Sequence, residues 1–178
     1  LQSLIINSRI FNVGTGPDGM AMAKRVCAAL AEQLSIEASL TCISSTGIIG
    51  RLYPEEKITS SLPLLIQKAF PGTDSFHKAS LAIMTTDTQP KAFSIELGDA
   101  TISIMAKGAG MIAPNMATML VFICTDASIP ADQLKTILKR VAQKSFNCLS
   151  IDFDTSTSDS CFILANGLAG AVDEVAFE

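Results

Sequence analysis

The sequence predicts an α/β domain, with an α+β arrangement as the alternative, in which mixed sheets are flanked by helices. Apolar segments of strand length alternate along the chain with segments whose apolar residues recur at helical spacing. Two segments with alternating apolar and polar residues, 93–97 and 101–105, flank Gly98-Asp99 and predict a hairpin. Because 48% of the 178 residues are hydrophobic and only 17% are charged, the composition is typical of a folded domain.

Short apolar runs predict the other strands, which are expected at 4–6, 40–43, 81–84, 119–124 and 162–164. Helical spacing predicts three helices: one that follows the turn-rich loop 12–19, one at 54–69 and one at 130–145. Asp18 or a neighbour is expected to cap the first helix. Pro63 lies inside the second helix and predicts a kink or a break there, because proline removes one backbone hydrogen bond.

Charge and composition argue against nucleic acid and membrane partners. The net charge is −4, the sequence has no cluster of Lys and Arg, and it contains no Trp and one Tyr. Phosphate binding needs a concentrated basic surface, and base stacking needs aromatic side chains. No apolar run reaches the roughly 18 residues of a membrane helix. The first residues, Leu1-Gln2-Ser3, do not resemble a signal peptide.

The cysteine pattern predicts reduced, buried thiols in an intracellular protein and no metal site. The five cysteines are an odd number without C-x-x-C spacing: Cys27, Cys42, Cys124, Cys148 and Cys161. The single histidine, His77, is expected in a polar loop far from any cysteine in sequence.

The segment from Lys107 to Leu120 is a candidate for chemistry. Its glycine-rich beginning and a proline make an irregular approach to Thr118, and an apolar strand follows at once. Attack of the Thr118 hydroxyl on the Ala117 carbonyl, followed by ester hydrolysis, would leave a threonine with a free α-amino group. That amine has an ordinary pKa of about 8 and can serve as the base for the neighbouring hydroxyl. Taken alone, however, the pattern favours a β-branched residue that simply opens a strand.

The same segment resembles the cleavage site of the ornithine acetyltransferase family, in which an Ala-Thr bond is cut. Further motifs resemble that family in the same order along the chain: Ser45-Thr46-Gly47-Ile48-Ile49-Gly50, Thr85-Thr86-Asp87-Thr88 with Pro90-Lys91, Ser145-Phe146-Asn147-Cys148 followed by 152–159, and Asn166-Gly167. There are departures: the segment 7–16 is bulkier in its middle than in the family, and Ser158 replaces an asparagine. The resemblance covers almost the whole chain.

The resemblance implies an incomplete catalytic core. Family members are about twice as long, so 1–178 is expected to be a single catalytic-core region that is incomplete at both ends, within a fold of the self-cleaving N-terminal-threonine-nucleophile type. Cleavage between Ala117 and Thr118 would make 1–117 the end of an α chain and 118–178 the start of a β chain.

The resemblance also implies the roles of individual residues. Thr118 would be the catalytic nucleophile, and Thr46 with Gly47 would form the oxyanion hole, although Ser-Thr-Gly alone is more typical of an ordinary turn. Lys107 would bind the amino-acid substrate. Either Thr85 or Thr86 would contact the substrate, with a preference for Thr85. The neighbouring Asp87 is interpreted as closing the turn.

The activity implied is ping-pong acetyl transfer from N-acetylornithine to glutamate through an acetyl-Thr118 intermediate, as part of arginine biosynthesis. Acyl transfer needs a nucleophile, a base and oxyanion donors, so no metal or organic cofactor is expected. Acetyl-CoA as a co-substrate stays open. The resemblance further implies association with the protein's own cleaved partner chain, a homo-oligomer of αβ units, and a location in the cytoplasm or, in a eukaryote, an organelle matrix.

Two other hypotheses come from other classes of protein. One is a truncated, non-catalytic copy with a binding role. The other is a dinucleotide-binding oxidoreductase module, because the segment from Gly14 to Gly19 fits G-x-G-x-x-G after a predicted strand. The second strand ends in Thr41-Cys42-Ile43 without the acidic residue that such a fingerprint requires, and Pro17 removes an N–H near the helix start.

Overall fold

The computed structural model describes residues 1–113, 119–157 and 159–178. The chain forms a mixed α/β structure of two compact units, Leu1–Thr85 and Thr86–Glu178. The predicted fold class is therefore confirmed. No helix of the described ranges is long and apolar enough to cross a membrane.

The first unit contains a two-stranded parallel sheet and three helices. The elements are β1 (Ser3–Asn7), α1 (Gly16–Leu34), β2 (Thr41–Ser45), α2 (Glu55–Gln67) and α3 (Thr73–Ala82). A short 3-10 turn, Ala38–Leu40, precedes β2. The core of the first unit consists of Ile5 from β1, Val26 and Leu30 from α1, and Leu62 from α2. Val26 and Leu30 lie four residues apart, so they share the face of α1 that packs in this core.

Some local predictions for the first unit are wrong. No strand occupies 81–84, because α3 continues through Ala82, and His77 lies in this helix rather than in a loop. A short apolar run fits the end of a helix as well as a strand, so periodicity could not separate the two. Thr15 rather than Asp18 occupies the N-cap of α1. Helix α2 continues through Pro63 and is not split there, whereas the alternative of a kink stays a prediction.

The second unit is a four-stranded sheet with the order β3-β4-β5-β6. The strands are β3 (Lys91–Leu97), β4 (Ala100–Lys107), β5 (Leu120–Ala127) and β6 (Ser160–Gly170). The first three are antiparallel neighbours, which confirms the predicted hairpin, and β6 is parallel to β5. Helix α4 (Ala131–Lys144) and the 3-10 turn Phe146–Cys148 connect β5 to β6, and α5 (Glu174–Phe177) ends the unit.

Strand β5 lies between two neighbours and carries much of the core of this unit. Leu120, Val121 and Phe122 are at most 1% exposed, and the Phe122 ring stacks on Phe162 of β6 at 5.7 Å between centroids. An apolar run without alternation is typical of a strand that is buried on both faces. Leu134 and Ile137 of α4 join a second buried cluster beside the sheet.

The cysteines are free thiols, as expected from their spacing, but they are less buried than predicted. Cys148 is exposed and the other four are half-buried. Burial raises the pKa of Cys161 to about 11, which disfavours its thiolate. Within the described ranges, no group of three or more His, Cys, Asp or Glu side chains is placed to hold a metal ion.

Candidate active site

Lys107 is a buried lysine at one edge of the four-stranded sheet. It is the last residue of β4 and pairs with Leu120, the first residue of β5, which pairs in turn with Ser160 at the start of β6. Only 1% of Lys107 is exposed. The end of β4 and the starts of β5 and β6 therefore meet at one edge, where the chain enters the sheet after Thr118.

Charges of both signs surround the Lys107 ammonium. Burial is the main cause that lowers the pKa of Lys107 below its ordinary value of 10.5. The carboxylates of Asp87 and Asp159 oppose this shift, whereas the positive charge of Lys91 adds to it. A buried cation interacts with neighbouring charges more strongly than an exposed one, because less water screens it.

Asp87 is the buried acceptor that joins two loops near Lys107. Its Oδ1 atom accepts a hydrogen bond from Lys91 Nζ at 2.5 Å and another from the Gly108 backbone N–H at 2.8 Å. The Asp87 side chain is 1% exposed, although that of Lys91 is 51% exposed. Asp87 therefore does more than close its own turn: through Gly108 it also fixes the backbone directly after Lys107.

Asp159 holds the backbone directly after residue 118. Its Oδ1 atom accepts the Met119 backbone N–H at 2.8 Å, and its carboxylate also accepts from the Ser156 side chain. Burial raises the pKa of Asp159, and the hydrogen bond from Met119 acts in the opposite direction. The Asp159 carboxylate thus has two effects: it accepts a hydrogen bond from Met119, directly before β5, and its negative charge favours the charged form of Lys107.

Asp152 holds the loop that follows Lys107. Its two oxygens accept the backbone N–H groups of Met111 at 2.6 Å and of Ile112 at 2.8 Å. These hydrogen bonds, with the one from Met111 as the largest cause, lower the pKa of Asp152. The carboxylate therefore keeps its negative charge at lower pH than an ordinary aspartate.

Thr46 and Gly47 lie in the first unit, where β2 ends. Thr46 is 1% exposed and its backbone N–H donates to the Asn7 carbonyl at 3.0 Å. Gly47 has φ +133°, and a Cβ atom there would lie 2.1 Å from the backbone carbon of Arg9. Among the described residues, none accepts a hydrogen bond from the Gly47 backbone N–H. Only glycine fits this close approach, and its N–H remains available as a donor.

The whole chain, residues 1–178, matches a family model described as the ArgJ family. The chain belongs to the ArgJ family. It is 49% identical over 176 residues to the arginine biosynthesis bifunctional protein ArgJ 2 of a Nostoc species, covering 99% of this chain and 45% of that protein. It is 44% identical to the glutamate N-acetyltransferase Oat2 of Streptomyces clavuligerus, with 99% of this chain and 44% of that protein covered. The chain thus spans less than half the length of these ArgJ-family relatives.

Solved structures of ArgJ-family proteins support the fold. The ornithine acetyltransferase of Mycobacterium tuberculosis, crystallised with ornithine, is 36% identical with a TM-score of 0.60, covering 63% of this chain and 61% of that one. The ArgJ protein of Bacillus halodurans is 32% identical with a TM-score of 0.51, covering 64% of this chain and 61% of that chain. The suspected family resemblance is therefore confirmed.

The predicted ArgJ site residues are divided among the first unit, the second unit and a segment outside the described residues. The cleavage site, Ala117 and Thr118, lies outside the described residues. Thr85 is the last residue of the first unit, and Thr86 is the first residue of the second. Which of the two contacts the substrate stays a prediction. Thr46 and Gly47 are described with the first unit, and Lys107 with the second.

Three aspartates around Lys107 and the loop after it were not assigned to this site from the sequence: Asp87, Asp152 and Asp159. Each belongs to a motif that carries the ArgJ resemblance. The sequence shows that they are acidic residues in polar segments, but it does not show which backbone N–H groups they accept. The backbone partner of Asp87, Gly108, is 21 residues away, and those of Asp152 and Asp159 are about 40 residues away in the chain.

The glycines from 14 to 19 have different local causes, since Gly14 and Gly16 adopt positive φ whereas Gly19 lies in a tight contact. The Asn12 side chain donates to the Gly19 carbonyl at 3.1 Å and accepts from the Thr15 hydroxyl at 2.7 Å. A Cβ atom on Gly19 would lie 2.0 Å from Thr15 Oγ1. In a dinucleotide fingerprint the strand turns directly into the helix, whereas the irregular segment 8–15 separates β1 from α1 here. Positive φ at Gly14 and Gly16 and the tight contact at Gly19 therefore account for this pattern without a nucleotide.

Proposed function

We propose that the protein containing this chain transfers an acetyl group from N-acetylornithine to glutamate. The observation that carries the proposal is Lys107, buried at the sheet edge next to the predicted cleavage segment, in a chain of the ArgJ family. A buried ammonium whose pKa is lowered by desolvation gains strongly from a nearby carboxylate, and both amino acids carry an α-carboxylate. We infer that Lys107 binds this group, with Thr85 or Thr86 as a further contact.

In the proposed mechanism, the Thr118 hydroxyl oxygen attacks the acetyl carbonyl carbon of N-acetylornithine. Its proton passes through the free α-amino group of Thr118 to the leaving amine, and ornithine departs as the carbon–nitrogen bond breaks. The amine of glutamate then attacks acetyl-Thr118, which yields N-acetylglutamate and restores the hydroxyl. Both half-reactions use one nucleophile, so the kinetics are ping-pong.

The proposed oxyanion hole consists of the Thr46 hydroxyl and the Gly47 backbone N–H. Negative charge develops on the acetyl oxygen during attack, and a fixed donor of this kind contributes about 3–4 kcal/mol to transition-state stabilisation. The tight contact between Gly47 and Arg9 supports this role, because it holds the donor rigidly before the substrate arrives. Rigid donors cost no reorganisation during the reaction.

Cleavage between Ala117 and Thr118 is the step that prepares the nucleophile in this proposal, making 1–117 the end of an α chain and 118–178 the start of a β chain. The remaining inferences rest on the same family: acetyl-CoA as a second acetyl donor, cleaved chains that stay paired within a homo-oligomer, and a cytoplasmic or organelle-matrix location. The mechanism needs no metal or organic cofactor, since nucleophile, base and oxyanion donors all come from the protein.

Intact-mass measurement with an acetyl-transfer assay tests this function in the natural protein at its full length. The wild type should give two pieces that meet at 117/118 and should convert N-acetylornithine and glutamate to ornithine and N-acetylglutamate. The variant Thr118→Ala should stay uncut and inactive, while Thr118→Ser, which keeps a hydroxyl, should still be cut. A wild-type protein that is never cut at this bond would overturn the mechanism.

A non-catalytic copy with a binding role is the second candidate. This function predicts one uncut band and no acetyl transfer in the same assay, so the two candidates give opposite results.

A further inference from the structure

The polar segment 152–159 contacts the chain on both sides of the stretch 113–118, which contains the proposed cleavage bond. On one side, Asp152 accepts the N–H groups of Met111 and Ile112 at 2.6 and 2.8 Å. On the other side, Asp159 accepts the N–H of Met119 at 2.8 Å. One short segment therefore fixes the residues that precede and follow this stretch.

Backbone hydrogen bonds complete both attachments. The Ile112 carbonyl accepts the N–H of Ile151 at 2.7 Å and that of Asp152 at 3.3 Å, and the Met119 carbonyl accepts the N–H of Ser160 at 3.1 Å. Ile112 and Met119 thus each use the backbone N–H and the backbone carbonyl in hydrogen bonds to residues within 151–160. They are also buried, at 4% and 5% exposure. This arrangement is more extensive than a single turn-closing hydrogen bond.

The backbone near Asp152 is held in an unfavourable conformation. Met111 has φ +56°, in the left-handed region that residues other than glycine rarely adopt. A carboxylate that accepts two backbone N–H groups makes charge-assisted hydrogen bonds, which are stronger than neutral ones. The Asp152 carboxylate compensates for the cost of this conformation and sets the direction in which the chain leaves residue 112.

Self-cleavage has strict geometric needs. Attack on a peptide carbonyl requires the oxygen to approach the carbon to about 3–3.5 Å in the right direction, and fixing both ends of the chain reduces the conformations to be searched. The Met119 N–H belongs to the peptide group formed with the Thr118 carbonyl, so Asp159 acts one peptide group from the proposed nucleophile.

We propose that Asp152 and Asp159 are positioning residues for self-cleavage, each holding one flank of the stretch 113–118. This inference rests on the proposed function, because it concerns the rate of the same cleavage step. Neither aspartate is assigned to attack, to the oxyanion or to substrate. Their effect is on the fraction of molecules in which the chain is correctly placed for attack.

The two aspartates should respond differently to asparagine. Asp152 accepts backbone N–H groups with both oxygens, so Asp152→Asn places an NH2 group against one of them. Asp159 accepts the backbone with one oxygen, and the Ser156 hydroxyl can rotate to accept from the new NH2 group. Asp152→Asn should therefore slow cleavage by about tenfold or more, which is the effect of losing one hydrogen bond to a charged group. Asp159→Asn should stay within about threefold of wild type, and Asp159→Ala should be slow.

The experiment measures the uncut fraction over time by intact mass in the full-length natural protein, with melting temperature as a check of folding. The matched control is Asp154→Ala, because Asp154 lies exposed in the same segment and its carboxylate accepts no hydrogen bond from the described residues. It should cleave at the wild-type rate. The isosteric asparagine variants keep the test informative if an alanine variant does not fold.

The outcomes separate the two proposals. If wild type is not cut, the proposed function fails and this inference fails with it. If wild type is cut and the Asp152 variants are cut at the same rate, only the positioning role is overturned. Equal slowing by Asp154→Ala would also overturn it, since any change in the segment would then suffice.

Discussion

At the residue scale, the lowered pKa of Lys107 predicts a pH dependence for the proposed binding of an amino-acid carboxylate. Below this pKa the side chain is an ammonium that can bind a carboxylate, and above it the side chain is neutral. We expect affinity for the amino-acid carboxylate to fall as pH rises through a value below 10.5, the ordinary lysine pKa. Stability should change in the opposite direction, because the unfolded chain binds more protons between the two pKa values and folding is therefore favoured as pH rises.

Titration calorimetry with ornithine at a series of pH values checks this expectation. Lys107→Arg is the comparison, since arginine stays charged throughout the range and removes the contribution of Lys107 from the difference between the two profiles. Identical alkaline profiles for both proteins would exclude Lys107 as the titrating group.

Gly47 and Gly50 provide a matched pair that tests the close contact behind the proposed oxyanion donor, Gly47. Both have positive φ, +133° and +79°, but a Cβ atom at Gly47 would clash with Arg9 whereas one at Gly50 has nothing within 4 Å. Gly50→Ala should cost only the backbone strain, about 1–2 kcal/mol. Gly47→Ala should cost at least about 2 kcal/mol more, because the backbone must also move. Urea unfolding of both variants measures the difference, and equal losses would contradict the role assigned to the contact.

The sequence and its family resemblance named Thr46, Gly47 and Lys107 as candidate site residues, but they did not predict the geometry around them. Lys107 could be taken for a solvated loop lysine, since nothing in Lys-Gly-Ala-Gly shows that it ends a buried strand. The same limit applies to Asp152 and Asp159, whose backbone partners lie 40 or 41 residues away. A pattern of acidic residues does not specify such pairings.

At the element scale, α2 offers a direct test of the core of the first unit. Leu62 is 1% exposed and Leu64, two residues further along the same helix, is 52% exposed. Leu62→Ala should lower the free energy of unfolding by about 2–5 kcal/mol, because it removes buried methyl groups and leaves a cavity. Leu64→Ala should change it by less than about 1 kcal/mol.

Chemical denaturation of the two leucine variants decides between these values. Since the helix propensities of the two substitutions are the same, any difference reports burial alone. Equal destabilisation would mean that the buried face of α2 is assigned incorrectly.

The predictions of helices and strands were correct where the periodic pattern of apolar residues was long, and they failed where it was short. The alternation over β3 and β4 and the spacing over α4 extend through several turns or residue pairs, and both were correct. The four residues at 81–84 carry no periodicity of their own, so the helix that precedes them determined their conformation. Pro63 is a strong local signal as well, yet α2 continues through it and the predicted break is absent.

At the scale of the whole molecule, the fold class followed from the sequence but the strand order did not. Segments 93–97 and 101–105 predict their own pairing because a tight turn joins them. The parallel pairing of β5 with β6 joins residues such as Val121 and Cys161 across α4, and no local pattern specifies that partner. The division at Thr85 and Thr86 was also not visible, because that segment resembles an ordinary polar loop.

The interior place of β5 has a consequence for a protein severed just before it. Leu120 and the residues after it pair with β4, which would belong to the other fragment, through partners from Ile102 to Lys107. On its opposite side the same strand pairs with β6 of its own fragment. Cleavage would thus leave two polypeptides that share one continuous sheet, and they could dissociate only if the hydrogen bonds between β4 and β5 were broken.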